Sequence, residues 1–261
     1  MTLPLLHIDG LSVGYGSRRI IDNLTLPPIS GGSVTALVGP NAAGKTTLLR
    51  GLAGLIPVKG SVRLDDVDLT ALNIAGHARH VTYMPQTLPQ RVALTVFEAT
   101  LSALMSSGNG MLSTAEAHER ALSVLARLGI AELAMRGLDE LSGGQRQLAS
   151  LAQSLVREPT VLLLDEPTSA LDIHHQLRVM QLVEELARER GLIVLIVLHD
   201  IAQAARYAQR IIVLRQGTIA ADGPPEEAVS PDMLARVYQV EARVERCSRG
   251  FVQVMVDRAL D

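Results

Sequence analysis

An α/β fold is predicted, with a parallel sheet at its centre, an antiparallel β layer at the N-terminus and a helical insert, on three observations. A β-branched run at residues 33–38 (SVTALV) ends in glycine and is followed by a helical stretch, so the chain reads strand, loop, helix. Two nearly unbroken aliphatic runs, residues 161–164 and 193–198, have the form of parallel strands covered on both faces. The amphipathic stretch 176–190 lies between them and completes a β-α-β unit.

The remaining elements follow in order. Residues 6–26 are short apolar runs broken by Gly10, Gly14, Gly16 and Asn23, the pattern of turn-linked strands. The helix after the first loop is expected over residues 46–55. Between about 95 and 156 the texture turns helical, with TVFEATLSALMSS, TAEAHERALSVLARLG and GGQRQLASLAQSLV. Residues 211–220 read as a hairpin turning at Gln216 and Gly217, and residues 241–261 as a short C-terminal tail. With 261 residues and 48% hydrophobic content, the chain is expected to form one domain over 1–261, the helical segment being inserted in the α/β core.

Composition narrows the function. The 24 basic and 27 acidic residues are spread along the chain, with no basic block to neutralise a phosphate backbone, so nucleic acid is not expected as a partner. A membrane-spanning helix needs ~20 apolar residues, and the most apolar run stops at His199 and Asp200. The N-terminus lacks a basic region followed by a sustained apolar stretch, so a cytoplasmic position is expected, and Cys247 alone can form no internal disulfide.

The first loop carries chemistry. Gly39-Pro40-Asn41-Ala42-Ala43-Gly44-Lys45-Thr46 fits G-x-x-x-x-G-K-[ST] between a predicted strand and a predicted helix that continues with Thr47. In such a loop backbone N–H groups wrap nucleotide phosphates, the helix start adds unpaired donors, Lys45 bridges the outer phosphates and the Thr46 hydroxyl holds Mg²⁺. Asp165 and Glu166 stand at the end of a buried strand, where charge is costly unless it meets a cation or hydrogen bonds. Asp165 is therefore assigned to the Mg²⁺ shell and Glu166 to polarising the attacking water. The loop alone does not distinguish an ATPase from a GTPase or a kinase.

Leu141-Ser142-Gly143-Gly144-Gln145 lies between the phosphate loop and Asp165 and opens a helix. It resembles the signature motif of ABC ATPases, and the other parts of that family's pattern fall in order: Tyr15, Gln86 in YMPQ, Ser169 to Asp172 in SALD, and His199 at a strand end. The resemblance spans residues 8 to about 240 and implies the ABC ATPase fold, a P-loop NTPase core, and hydrolysis of ATP with Mg²⁺. It implies that Tyr15 stacks on adenine, that Gln86 senses metal and water beside a membrane subunit, and that His199 contacts the γ-phosphate. Glu166, His199 and Gln86 are thus the catalytic candidates, and Thr46, Asp165 and Gln86 the metal candidates. It further implies that each ATP is sandwiched between the loop of one subunit and the signature of another. Ser142, Gly143, Gly144 and Gln145 would then serve a second copy's nucleotide in a head-to-tail dimer, with a helix starting at Gly144. Many family members have glycine where this chain has Ala42; if that position requires a positive φ, alanine costs ~1–2 kcal/mol there.

The stretch from HQLRVMQL to LARVYQV, together with LTVFEATL, looks like the ATPase subunits of importers for iron-siderophore, haem and cobalamin complexes. That likeness implies permease partners, an extracytoplasmic substrate-binding protein acting indirectly, and a peripheral place on the cytoplasmic face of the cell membrane. A non-transport ABC ATPase, such as an iron–sulfur assembly platform, is the alternative, and co-purification with membrane subunits separates the two.

Overall fold

Short apolar runs broken by glycine pair as antiparallel strands at the N-terminus of the computed structural model, which describes residues 2–86, 93–106 and 112–260. Strand β1 (Leu5–Tyr15) pairs with β2 (Arg18–Ser30) on one side and with β4 (Val58–Leu64) on the other, and β5 (Val67–Asp68) follows at the edge. Between β2 and β4 the chain leaves this layer through β3 (Ser33–Val38) and α1 (Lys45–Leu52). Helix α1 ends three residues earlier than its composition suggests, because Gly54 adopts a left-handed φ of 68° and turns the chain.

The second sheet has the order β10-β9-β3-β8-β7-β6. Helix α2 (Ile74–His80) leads into β6 (Val81–Met84). The insert contributes α3 (Val96–Met105), α4 (Thr114–Leu128) and α5 (Gly143–Leu155); its residues 107–111 lie outside the described residues. Strand β7 (Val161–Asp165), helix α6 (Ile173–Arg190) and β8 (Ile193–Val197) form the expected unit, and α7 (Ile201–Tyr207) follows. Helix α6 starts three residues before the expected position, since Asp172 accepts from the His175 amide and caps it. Strand β3 pairs in parallel with β8 and β9 (Arg210–Arg215), β7 in parallel with β6 and β8, and β10 (Thr218–Gly223) closes the edge as an antiparallel hairpin with β9.

Alternation along the central strands feeds two cores. Val34, Ala36, Leu162, Leu164, Val194 and Ile196 pack towards the helices of the insert and α6, whereas Leu37, Leu163 and Leu195 pack with α1 and the N-terminal layer. Helix α1 is held between the two sheets by Leu48, Leu49 and Leu52, each at most 2% exposed. Full burial of one such side chain is worth ~1.5–3 kcal/mol, so the helix that starts at the phosphate loop is anchored along its length.

Beyond β10 come α8 (Pro225–Ala228) and α9 (Pro231–Tyr238), and the segment expected as a tail is ordered: β11 (Val240–Arg246) pairs antiparallel with β12 (Val252–Ala259). Ala242 and Val252 of this hairpin, both 7% exposed, join the core on the helical side. No helix among the described residues is long and apolar enough to cross a membrane.

Candidate functional site

Four parallel strands end on the same side of the sheet, and each delivers a piece of the site. The phosphate loop follows β3, Gln86 follows β6, Asp165 and Glu166 end β7, and His199 follows β8. Ligands of open α/β sheets bind at the carboxyl ends of strands, where loops and helix N-termini converge.

The loop is shaped by its backbone. Gly39 has φ +149°, and a Cβ there would stand 2.1 Å from the Leu214 carbonyl oxygen, so the turn against β9 admits only glycine. Ala42 has φ +62°, the left-handed value considered for it, at an exposed position with a cost of ~1–2 kcal/mol. Gly44 precedes α1, whose first turn carries no acidic residue, which leaves the positive helix end open to an anion. Lys45 is 7% exposed and its Nζ donates to the carbonyls of Gly39 at 2.7 Å and Pro40 at 3.0 Å. Burial lowers its pKa from the ordinary lysine value, and the Glu166 and Asp165 carboxylates oppose that shift.

Asp165 is fully buried. Its carboxylate accepts from Thr46 Oγ1 at 3.2 Å and from the Tyr83 hydroxyl at 2.9 Å. Burial raises its pKa, and these two donors pull the other way. Burial also pushes the Tyr83 phenol up to about 12, so it remains a donor. Arg50, from the end of α1, donates to the hydroxyl of Tyr15 at 3.2 Å. Tyr15 closes β1 with 45% of its surface exposed, which leaves its ring available for stacking.

Glu166 is where three of the expected residues meet. Its carboxylate accepts from Gln86 Nε2 and contacts His199 Nε2, each at 2.5 Å, and the residue is only 9% exposed. Gln86 thus reaches Glu166, while Thr46 and Asp165 contact each other. The Glu166 backbone has φ +52°, uncommon for a residue with a Cβ, and its N–H donates to the Val197 carbonyl at 3.2 Å.

The signature lies apart from this cluster. Ser142, and not Gly144, sets the start of α5: its hydroxyl accepts from the Gln145 amide, and Gln145 Oε1 accepts from the Ser142 amide. This is a capping box, so the helix begins at Gly143 and Gln145 serves the cap. Ser142 and Gly143 are exposed and, with Gly144 and Gln145, border a cavity shared with Asp172 and His175, to which no residue of the phosphate loop contributes. Two residues that the motifs do not single out bind the site together. Tyr83 holds Asp165, and Gln147, two residues past the signature, donates to the Glu166 main-chain carbonyl at 2.7 Å. A polar residue inside an otherwise buried helix face was the available signal for Gln147.

A phosphate loop on a parallel sheet, carboxylates on the adjacent strand and a capped signature helix in an inserted helical segment define an ATP-binding cassette. The ABC transporter family model matches residues 22–169, and the chain belongs to that family. It binds and hydrolyses ATP. The ferric enterobactin transport ATP-binding protein FepC of Escherichia coli is 39% identical over 253 residues, covering 94% of this chain and 91% of that protein. The hemin import ATP-binding protein HmuV of Rhodopseudomonas palustris is 37% identical over 260 residues, covering 94% and 92%. Among solved structures, the dimeric post-hydrolysis state of the ATP-binding cassette MJ0796 bound to ADP and Pi superposes with a TM-score of 0.77, at 27% identity, over 84% of this chain and 98% of that one.

Proposed function

We propose that this chain powers an importer of metal chelates, of the iron-siderophore, haem or cobalamin kind, by hydrolysing ATP in a head-to-tail dimer of two copies. The importer reading rests on similarity to siderophore and hemin ATP-binding proteins that runs over more than nine-tenths of the chain. The dimer reading is supported by one observation: the phosphate loop and the signature face different surroundings, so one chain offers half of each of two sites. Tyr15 stacks on adenine, the amides of residues 39–47 with Lys45 hold the phosphates, and Ser142, Gly143 and Gly144 of the second copy close over the γ-phosphate.

The donors fit Mg²⁺, since the Thr46 hydroxyl and the buried Asp165 carboxylate form an all-oxygen set 3.2 Å apart and a cation would relieve the buried charge. When bound, Mg²⁺ supplies charge compensation for the phosphates. Glu166 orients the attacking water and accepts its proton, Gln86 and His199 hold the Glu166 carboxylate, and His199 reaches the γ-phosphate. Hydrolysis removes the group that joins the two copies and lets them part, a shift between closed and open states. Membrane subunits carry the substrate, with an extracytoplasmic binding protein upstream, and the chain sits on the cytoplasmic face of the membrane.

Co-expression with the permease and reconstitution in liposomes tests the reading. ATP-dependent uptake of a radiolabelled ferric siderophore, haem or cobalamin, lost in Lys45→Ala, is the expected result. A chain that co-purifies instead with soluble iron–sulfur assembly proteins, without membrane subunits, overturns it.

A further inference from the structure

Gln147 lies on the buried face of α5, five positions beyond Ser142, and its side chain leaves the helical insert for the end of β7. The amide nitrogen donates to the Glu166 carbonyl at 2.7 Å and to Ser169 Oγ at 3.3 Å, and the amide oxygen accepts from the Ala170 N–H at 3.0 Å. The side chain is used at both ends and is 5% exposed, so its orientation is set: reversing the amide would oppose oxygen to oxygen at Glu166 and nitrogen to nitrogen at Ala170. The Glu166 carbonyl also accepts from Ser169 Oγ at 3.1 Å and from the Ser169 N–H at 3.3 Å. These donors hold the main chain of a residue with φ +52°, and a rotation there would swing its carboxylate away from Gln86 and His199.

The two ends of this connection belong to different nucleotides. In the head-to-tail dimer proposed above, on which this inference rests, Ser142 at the start of α5 closes over the partner's ATP, whereas Glu166 acts on the ATP held by its own phosphate loop. A single helix therefore touches one nucleotide with its cap and, less than two turns later, grips the backbone of the residue that activates water for the other. The bond is short and enclosed, and the amide is held at both ends, so a shift of α5 is passed to the Glu166 carbonyl.

We infer that Gln147 is a positioning residue that couples the two ATP sites of the dimer: engagement of the partner's nucleotide by the signature helix sets the Glu166 backbone for hydrolysis at the chain's own site. Such coupling shows as cooperativity in ATP turnover. Each site then depends on occupancy of the other through a physical two-state element.

The test compares the wild-type chain with Gln147→Leu, which removes all three hydrogen bonds, and Gln147→Glu, which keeps the length and the acceptor for Ala170 but offers no amide donor to Glu166. In both variants kcat should fall at least ~10-fold and the Hill coefficient for ATP should drop towards one, while nucleotide affinity of the unpaired chain stays within about twofold. Melting curves establish that each variant is folded, and the glutamate variant decides the matter if the leucine variant is not. Wild-type kcat and Hill coefficient in folded Gln147→Glu overturn the coupling, as does a loss of nucleotide affinity in proportion to kcat, which would make Gln147 only a support of its own site. The head-to-tail reading is tested separately by the mass of Glu166→Gln with Mg-ATP. A monomer there overturns that reading whatever the Gln147 variants do, and a dimer there with an unaltered Gln147→Glu overturns the coupling alone.

Discussion

The phosphate loop and the signature turn both lead into a helix through glycine, yet they are packed in opposite ways. Gly39, Ala43, Gly44, Lys45 and Thr47 are buried, the helix behind them is held between two sheets, and the lysine is already paired with loop carbonyls. Ser142 and Gly143 are exposed, and among the described residues the Ser142 side chain and amide bond only within their own helix cap. One half is preorganised within the fold, the other is an exposed helix cap, as the proposed head-to-tail dimer requires. In the head-to-tail dimer proposed above, a nucleotide would bind first at the buried half and be sealed by the exposed half of another chain.

The largest effect that tests this contrast lies in the step after sealing. Glu166→Gln should lower phosphate release by about 10²–10⁴-fold, the range for a lost general base, with ATP affinity preserved. Because the closed state is then not discharged, light scattering should record twice the monomer mass on adding Mg-ATP. Turnover at the wild-type rate would remove Glu166 from its role.

Next in size is the receptor itself. Lys45→Ala deletes a buried charged donor, and hydrogen bonds to charged groups are worth ~1.5–3 kcal/mol, so nucleotide affinity should fall about 10–100-fold. A titration of the unpaired chain that shows retained affinity would contradict the loop assignment.

The exposed half can be separated from its structural duty. Ser142→Ala removes a helix cap worth ~0.5–2 kcal/mol and so should lower both melting temperature and ATP-driven dimerisation. Ser142→Asp keeps a capping oxygen but places a negative charge against the incoming phosphates, so dimerisation should be lost with melting temperature intact. Monomer affinity for ATP should be unchanged in both. An equal loss of monomer affinity would place the signature in the chain's own site and collapse the distinction between the two halves.

What could be read from the sequence follows the same contrast. The phosphate loop, Asp165, Glu166 and the signature are spelled by local residue types, and the central strands by their length and branching, so each was legible where it stands. Tyr83, Arg50 and Gln147 were not, because their partners are 82, 35 and 19 residues away and only the sheet order brings them together. Aliphatic periodicity puts the starts of α5 and α6 later than Ser142, Gln145 and Asp172 do, and it is the capping side chains that set them. The C-terminal hairpin is legible in the alternation of VEARVER and VQVMVDRA, but the family resemblance stops near residue 240, so nothing in that pattern carries an expectation of strands beyond it.

The smallest effect concerns the one backbone position where the receptor is strained. Ala42 sits at φ +62° with its side chain exposed, so its methyl contributes little packing and pays a steric cost that glycine does not. Glycine also has a more flexible unfolded state, which offsets part of the gain. Ala42→Gly should therefore stabilise the chain by up to ~1 kcal/mol, raising Tm by about 2–4 °C, and leave ATP affinity within about twofold. Asn41→Gly, one residue earlier and not in the left-handed region, relieves no such strain and should not raise Tm. If the two substitutions behaved alike, the left-handed turn at Ala42 would not be a strain held by the folded loop. A gain confined to Ala42 would mean that the loop keeps its phosphate-binding shape against a local cost, through the burial of Lys45 and the anchoring of α1 behind it.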